Sequence, residues 1–486
     1  MKLFRKNRDT APAPEGSDHD PRPGVVVTGL GPISAVGMGR NDFYQALLEG
    51  RSGIGPITLC DVSRSPSKIG AEVTDFRMEL FVEHGRAIER WAPRPIQLAL
   101  AAAVMALHDA ELPLDDLDAD RLGLVVGTGV GNAGDLLAFA NRWREGGDMP
   151  THGAFTSIHQ SIPCVLSSFL DIRGTMTSVS TGCNSGIDGL GHALRMIQAG
   201  AADAVLVVGT DSELVPEVIA ALNASGSLST RFNDDPLRAS RPFDADRDGN
   251  VIGEGACGLL LENEEHARAR RARSYARIEG YHMASAGGGR RYSHDQPDLD
   301  HGPAVRALRG ALKDAGWSPD QVDLVNANGS ASKLYDPLEA RAILELLDGH
   351  EAPVHSIKSM LGQHGAGSSA LQCASACLSL RREFAPPTAN HETLDPACTG
   401  LNVITEATPG PFERVLVHSI GLGGFYYSAA AFRRSDWAPE ENLTGLAQVR
   451  WSEEHHPRHL PAPEYQEPLA PWRPRGDFDP DLPVGP

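Results

Sequence analysis

One run in the chain has the residue types and order of a nucleophile turn: Ser178-Val179-Ser180-Thr181-Gly182-Cys183-Asn184-Ser185-Gly186. A β-type stretch meets a turn of small residues. Ile187, Leu190, Leu194 and Ile197 then follow at the spacing of one buried helix face. Cys183 therefore stands at a helix start, where unpaired N–H groups and the positive end of the helix dipole favour a thiolate. The alternative is a buried structural cysteine, the usual fate of a free thiol. Glycines on both sides, in a turn before a helix, favour the nucleophile.

Other chemistry-bearing patterns are weaker. Gly129-Val130-Gly131-Asn132-Ala133-Gly134 is a formal GxGxxG after a strand. No second strand ending in an acid follows about 20 residues on, and Glu145 falls in a polar helical segment, so dinucleotide binding is not expected. His455, His456 and His459 lack a helix to fix ligand geometry and read as a solvated loop rather than a metal site. The basic run Arg268, Arg270, Arg271, Arg273 and Arg277 is either a solvated helix face or a docking surface for an acidic partner.

The elements that must position these residues alternate in type. Val25 to Thr28 reads as a strand ending in Gly29-Leu30-Gly31, Leu122 to Val126 and Ala204 to Val208 as strands, and Arg94 to Ala110 as an Ala-rich helix. Such alternation predicts a mostly parallel α/β sheet covered on both faces. The order also recurs. Ala106-Leu107-His108-Asp109-Ala110, then Leu124 to Gly129, has its counterpart in Ala311-Leu312-Lys313-Asp314-Ala315, then Leu324 to Gly329. Two related halves are expected, residues 24–265 and 266–434, with strand ends from both meeting at one site.

Composition narrows the class. The 486 residues carry 44 Lys and Arg against 63 Asp and Glu, a net charge of −19, which disfavours nucleic acid and anionic lipid as partners. Seven cysteines without CxxC or zinc spacing read as a reduced, cytoplasmic protein. The apolar stretch from Ile96 to Leu107, about 12 residues, is too short to span a bilayer. Residues 1–23 and the Pro-rich acidic segment 435–486 lack periodicity and read as tails; Trp437, Trp451, Tyr465 and Trp472 make the second more aromatic than a solvated linker.

The nucleophile turn, together with RPFDADRDGNVIGEGA at 241–256, VNANGSASKLYDPLEA at 325–340, SIKSMLG at 356–362 and GLGGF at 421–425, resembles the β-ketoacyl synthases of the thiolase-like superfamily. The likeness is nearest to the ketosynthase subunit of bacterial type II polyketide systems, and it covers about residues 24–434. The resemblance implies a thiolase-like α/β fold, two duplicated βαβαβαββ halves in a five-layered αβαβα core. It implies that Cys183 accepts an acyl group from an acyl carrier protein and that a carrier-bound extender is decarboxylated and condensed with it. No cofactor is implied beyond the phosphopantetheine arm that the carrier brings. The implied assembly is a homodimer, or a heterodimer with a chain-length-factor-like subunit.

The resemblance also assigns positions. The family's two histidines fall on Asn328 and Gln363, and its site lysine on Lys358. Ser330 and Ser332 match the hydroxyl pair that binds the pantetheine arm. Leu422 stands where the family usually has a gating Phe, beside Gly423. Asp336 and Glu339 match acidic positions and are read as structural. Amides at 328 and 363 still donate hydrogen bonds to a thioester or enolate oxygen, but they do not titrate near neutral pH. The expected function is therefore a β-ketoacyl-carrier-protein synthase-like acyltransferase. Two alternatives stay open: a non-elongating acyltransferase forming C–O, C–N or C–S bonds, and a non-catalytic partner subunit, against which Cys183 argues.

Overall fold

The structure is a computed structural model that describes residues 22–112, 118–287 and 300–437. Its main sheet is built from β1 (Val25–Ser34), β2 (Leu122–Gly127), β3 (Met176–Val179), β4 (Ala204–Ser212), β5 (Glu254–Asn263), β6 (Ala276–Ser285), β7 (Leu324–Asn326), β8 (Val354–His355), β9 (Arg414–Ile420) and β10 (Tyr426–Arg434). The spatial order is β3-β2-β4-β5-β1-β6-β10-β9-β7-β8, with Gly37–Met38 returning alongside β1. Adding five to each strand number of the first group reproduces the second, so the repeat seen in the sequence is a repeat of topology. The groups join through only two residue pairs, Val26 with Arg277 and Val27 with Ala276.

The sheet is mixed rather than mostly parallel. In each half the strand next to the outer edge, β2 or β7, is parallel to both neighbours, whereas the last strand of the half in chain order, β5 or β10, is antiparallel to the strands beside it. Periodicity reports burial and not direction, so the antiparallel pairs left no trace in the pattern.

Five helices make the layers: α1 (Arg94–Asp109), α2 (Ser185–Gln198), α3 (Gly302–Ala315), α4 (Tyr335–Leu347) and α5 (Gly365–Arg382). α1 covers β1, β4 and β5 on one outer face, while α3 covers β6 and β10 on the other with α4 against it. α2 and α5 pack on each other and on strands of both halves, forming the middle layer. Every residue of α5 from Gly365 to Leu380 is buried, and its Gly, Ala, Ser and Cys content lets the backbones approach closely.

β1 does not stop at its glycines. It runs through them to Ser34 because they face α1: a Cβ on Gly29 would lie 2.1 Å from the Ala106 carbonyl oxygen, and one on Gly31 would lie 2.1 Å from that of Ala102. They permit close helix packing rather than a turn. At the far end, the Trp437 ring sits 4.2 Å from the Arg268 guanidinium and packs on Val26, Ala267 and Ala272. Trp451, Tyr465, Trp472 and the three tail histidines lie outside the described residues, as do residues 1–21. Among the described residues no helix is long and apolar enough to cross a membrane.

Candidate active site

The nucleophile turn links β3 to α2. Gly182 adopts φ 65°, a left-handed conformation that glycine takes without a Cβ clash. Cys183 follows, 8% exposed, two residues before the first residue of α2. The turn is held largely by the other half of the chain. Ser369 Oγ on α5 donates to the Cys183 carbonyl at 2.7 Å. Asn184 Nδ2 donates to Ser428 Oγ on β10 at 3.0 Å, and Asn184 Oδ1 accepts from Ser419 Oγ on β9 at 2.9 Å. Within the turn, the Thr181 hydroxyl donates to Asp188, and burial raises that carboxyl's pKa.

Asn328 follows β7. Its N–H and that of Gly329 each donate to the Glu339 carboxylate at 2.8 Å, whose Oε1 lies 2.6 Å from His418 Nδ1. Asn328 Oδ1 accepts from Lys358 Nζ at 2.6 Å and from the Ile420 N–H at 3.1 Å. Two obligate donors fix which end of the amide is oxygen. The amide NH₂ is left with both donors uncommitted among the described residues. Lys358 is buried, and burial lowers its pKa to about 8; the charges of Cys183, Glu339 and Asp336 act in the opposite sense.

The remaining positions fall around this pair. Gln363 is buried, its N–H donating to the Val251 carbonyl at 2.7 Å, and its side-chain oxygen has no hydrogen-bond partner. His364, the residue after Gln363, is 1% exposed and pressed against Gly255 and Gly367, and burial with the Lys358 charge lowers its pKa to about 3. Ser330 and Ser332 donate their N–H groups to Asp336 at 3.1 and 3.2 Å. The Ser332 hydroxyl accepts from the N–H groups of Leu334 and Tyr335, which leaves its proton to give. Burial raises the Asp336 pKa to about 6, and Asp336 and Glu339 together act as internal anchors for the Asn328–Ser332 loop. Gly423 takes φ 80° in the last turn. A Cβ on neighbouring Gly421 would sit 3.2 Å from the Thr181 carbonyl, which sets this turn against the nucleophile turn. The Leu422 side chain lies outside the described residues.

The GxGxxG loop has its anion built in. The N–H groups of Gly129, Val130 and Gly131 point at the Asp211 carboxylate at 2.8, 2.9 and 3.0 Å. The Thr128 hydroxyl and the Ala366 N–H complete the set at 2.7 Å each. The sequence resembled a phosphate loop because the same concave row of donors is present; a side chain fills it. Neither Asp211 nor the Glu339–His418 pair was found by sequence reasoning, since no local spacing marks a partner about 80 residues away. The basic run is mostly spent internally: Arg270 pairs with Glu262, Arg273 with Asp109, Arg268 and Arg277 with Glu264. Among the described residues no cluster of His, Cys, Asp or Glu could hold a metal ion.

Nucleophile, amide and lysine thus come from loops of both repeats, after β3, after β7 and after β8, of which β3 and β8 are equivalent strands. Residues 22–267 match the family described as "Beta-ketoacyl synthase, N-terminal domain", and residues 275–392 match its C-terminal domain. The chain is 37% identical over 409 residues to 3-oxoacyl-[acyl-carrier-protein] synthase 2 of Coxiella burnetii, covering 82% of this chain and 96% of that protein. It is 34% identical over 424 residues to the actinorhodin polyketide putative beta-ketoacyl synthase 1 of Streptomyces coelicolor, covering 85% and 89%. The ishigamide ketosynthase/chain length factor superposes with a TM-score of 0.77 at 30% identity, over 85% of this chain and 100% of that one. A type II polyketide acyl-carrier protein in complex with its hexaketide-bound ketosynthase gives 0.76 at 29%, with the same coverage. With both domain matches in order and relatives aligned over nearly their whole length, the chain belongs to the beta-ketoacyl synthase family of condensing acyltransferases.

Proposed function

We propose that the chain takes an acyl group from an acyl carrier protein onto Cys183 and condenses it with a carrier-bound malonyl-type extender, using amides where its relatives are expected to use imidazoles. The observation that carries this reading is the Asn328 amide, whose oxygen is filled by Lys358 and Ile420 so that its NH₂ is the end left to donate. Burial lowers the Lys358 pKa to about 8, and the amine takes the Cys183 thiol proton in the fraction of molecules that hold it uncharged. The thiolate attacks the carrier thioester, the new C–S bond forms, and the carrier thiolate leaves. The extender then loses CO₂, and the electron pair of the broken C–C bond becomes an enolate whose oxygen accepts from the Asn328 and Gln363 NH₂ groups. Its carbon attacks the Cys183 thioester, and the cysteine thiolate departs as the β-keto product remains on the carrier. Ser330 and Ser332 are the hydroxyls proposed to hold the pantetheine arm.

Intact-mass analysis with acyl- and malonyl-carrier proteins tests the reading. Acylation of the wild type, absent in Cys183→Ala, is expected together with a two-carbon longer carrier adduct. Acylation with intact malonyl carrier would move the assignment to a non-elongating acyltransferase. We also propose that a second chain of the same fold pairs along β3. β3 is an outermost strand with three of four residues at least partly exposed, and the helix Ala133–Arg144 buries no residue despite Leu136, Leu137, Phe139 and Trp143. Native mass measurement separates a copy of this chain from a chain-length-factor-like relative.

A further inference from the structure

We infer that a cleft at the end of the sheet opposite the catalytic loops is a binding site for a ligand presenting several carboxylate or phosphate oxygens. The cleft encloses about 680 Å³. Arg414 opens β9, and the other end of that seven-residue strand, Ile420, holds Asn328. At about 3.3 Å per residue the cleft lies about 20 Å from the site.

Its floor is a row of three arginines on adjacent strands, Arg414 directly opposite Arg433 and Arg433 directly opposite Arg277. Like charges placed opposite one another weaken a sheet, so the row needs a counter-charge. The protein supplies it for two of the three: Arg277 pairs with Glu264 at 3.4 Å and Arg433 with Asp436 at 3.1 Å. Glu279 lies 3.2 Å from Arg433 and 3.9 Å from Arg277, and its second oxygen accepts from the Trp317 indole N–H. The Arg414 guanidinium makes no ion pair among the described residues, the nearby Asp323 carboxylate being held by the Arg414 backbone N–H at 2.8 Å; the guanidinium lies over the Trp317 ring at 5.8 Å, and its Nε is buried without a hydrogen-bond partner. Lys313, exposed at the end of α3, borders the same cleft. Arg22 and Asp314 close the rim as an ion pair. Five cations and two carboxylates line the cleft, and with Glu264 and Asp436 also engaged the cations left without a carboxylate partner among the described residues are Arg414 and Lys313, in a chain whose net charge is −19. A planar guanidinium stacked on an indole with its donors open matches a bidentate oxyanion, and the volume suits a small organic polyanion. The oxygens come either from a free ligand or from the acidic segment that follows Trp437.

Calorimetric titration of the full chain with pyrophosphate and with citrate, each against sodium chloride of equal ionic strength, tests this. One saturable site is expected. Arg414→Gln should weaken it about tenfold and Lys313→Gln several-fold, with Cys183 acylation unchanged; the exposed Lys313 keeps the test valid should the strand variant misfold. Binding by the wild type assigns a free ligand, and binding that emerges only in Glu440→Gln/Glu441→Gln assigns the chain's own acidic segment. Absence of saturable binding in both proteins, or binding untouched by both cleft substitutions, overturns the site.

Discussion

Replacing Lys358 with Met should make the protein more stable and less active, with a defined pH dependence. Lys358 is 1% exposed, and burial lowers its pKa from the ordinary 10.5 to about 8. Below pH 8 the amine is charged in both the folded and the unfolded chain, and the folded state bears the full desolvation penalty. At about 1.4 kcal/mol per tenfold change in proton affinity, that penalty is about 3 kcal/mol. From pH 8 to 10.5 the unfolded chain holds the proton that the folded chain has released, so the penalty fades and wild-type stability rises. Lys358→Met lacks the penalty and the rise. Its Asn328 oxygen keeps the Ile420 N–H, so no buried acceptor is orphaned. Urea unfolding at pH 7 should show the variant more stable by about 2–3 kcal/mol, and at pH 10 the two proteins should converge. Acylation of Cys183 should fall about 10²- to 10⁴-fold as the proton acceptor is lost. A variant less stable than wild type at pH 7, with an unchanged pH slope, would refute a desolvated Lys358 and place the ammonium in a compensated ion network.

Three further outcomes rest on separate contacts. Asn328→Asp keeps an acceptor for Lys358 and Ile420 but removes the amide donors, so condensation measured by carrier mass should drop about 10²- to 10³-fold while acylation changes less. Asp211→Asn sets an NH₂ among the five donors that converge on Asp211 and should cost about 2–4 kcal/mol in chemical unfolding. Gly258→Ala would place a Cβ 2.3 Å from the Ala102 carbonyl oxygen of α1 and should cost about 1–3 kcal/mol, read as a lowered Tm.

The parts of the molecule legible in the sequence were those written in local periodicity. α1 and β4 lie where the apolar runs put them, and the buried face of α2 contains Ile187, Leu190, Leu194 and Ile197. Cys183 was readable because its turn, its glycines and its helix are contiguous. Strand direction was not legible, and neither was the meaning of Gly29 and Gly31, since a close approach from α1 looks in one dimension like a turn. The site's polar wiring was the least visible. Asn328, Lys358 and Glu339 were reached only through resemblance, and Asp211, His418 and Ser369 touch partners far away in the sequence, so no spacing rule connects them. The arginine run shows the converse: dense in sequence, it is divided in space among internal acids.

The burial of α2 has a consequence for kinetics in salt. Both of its flanks are covered, one by each half of the chain, so salt screens the dipole end next to Cys183 less than it would that of a surface helix. The chemical reactivity of the thiol toward a small uncharged acyl thioester should therefore be nearly independent of ionic strength. Encounter with a carrier protein is a different matter, because a surface of net charge −19 repels an acidic partner, and added salt weakens that repulsion. Comparing the two donors across a salt series would separate a step governed by the protein's interior from one governed by its surface: one profile flat, the other rising.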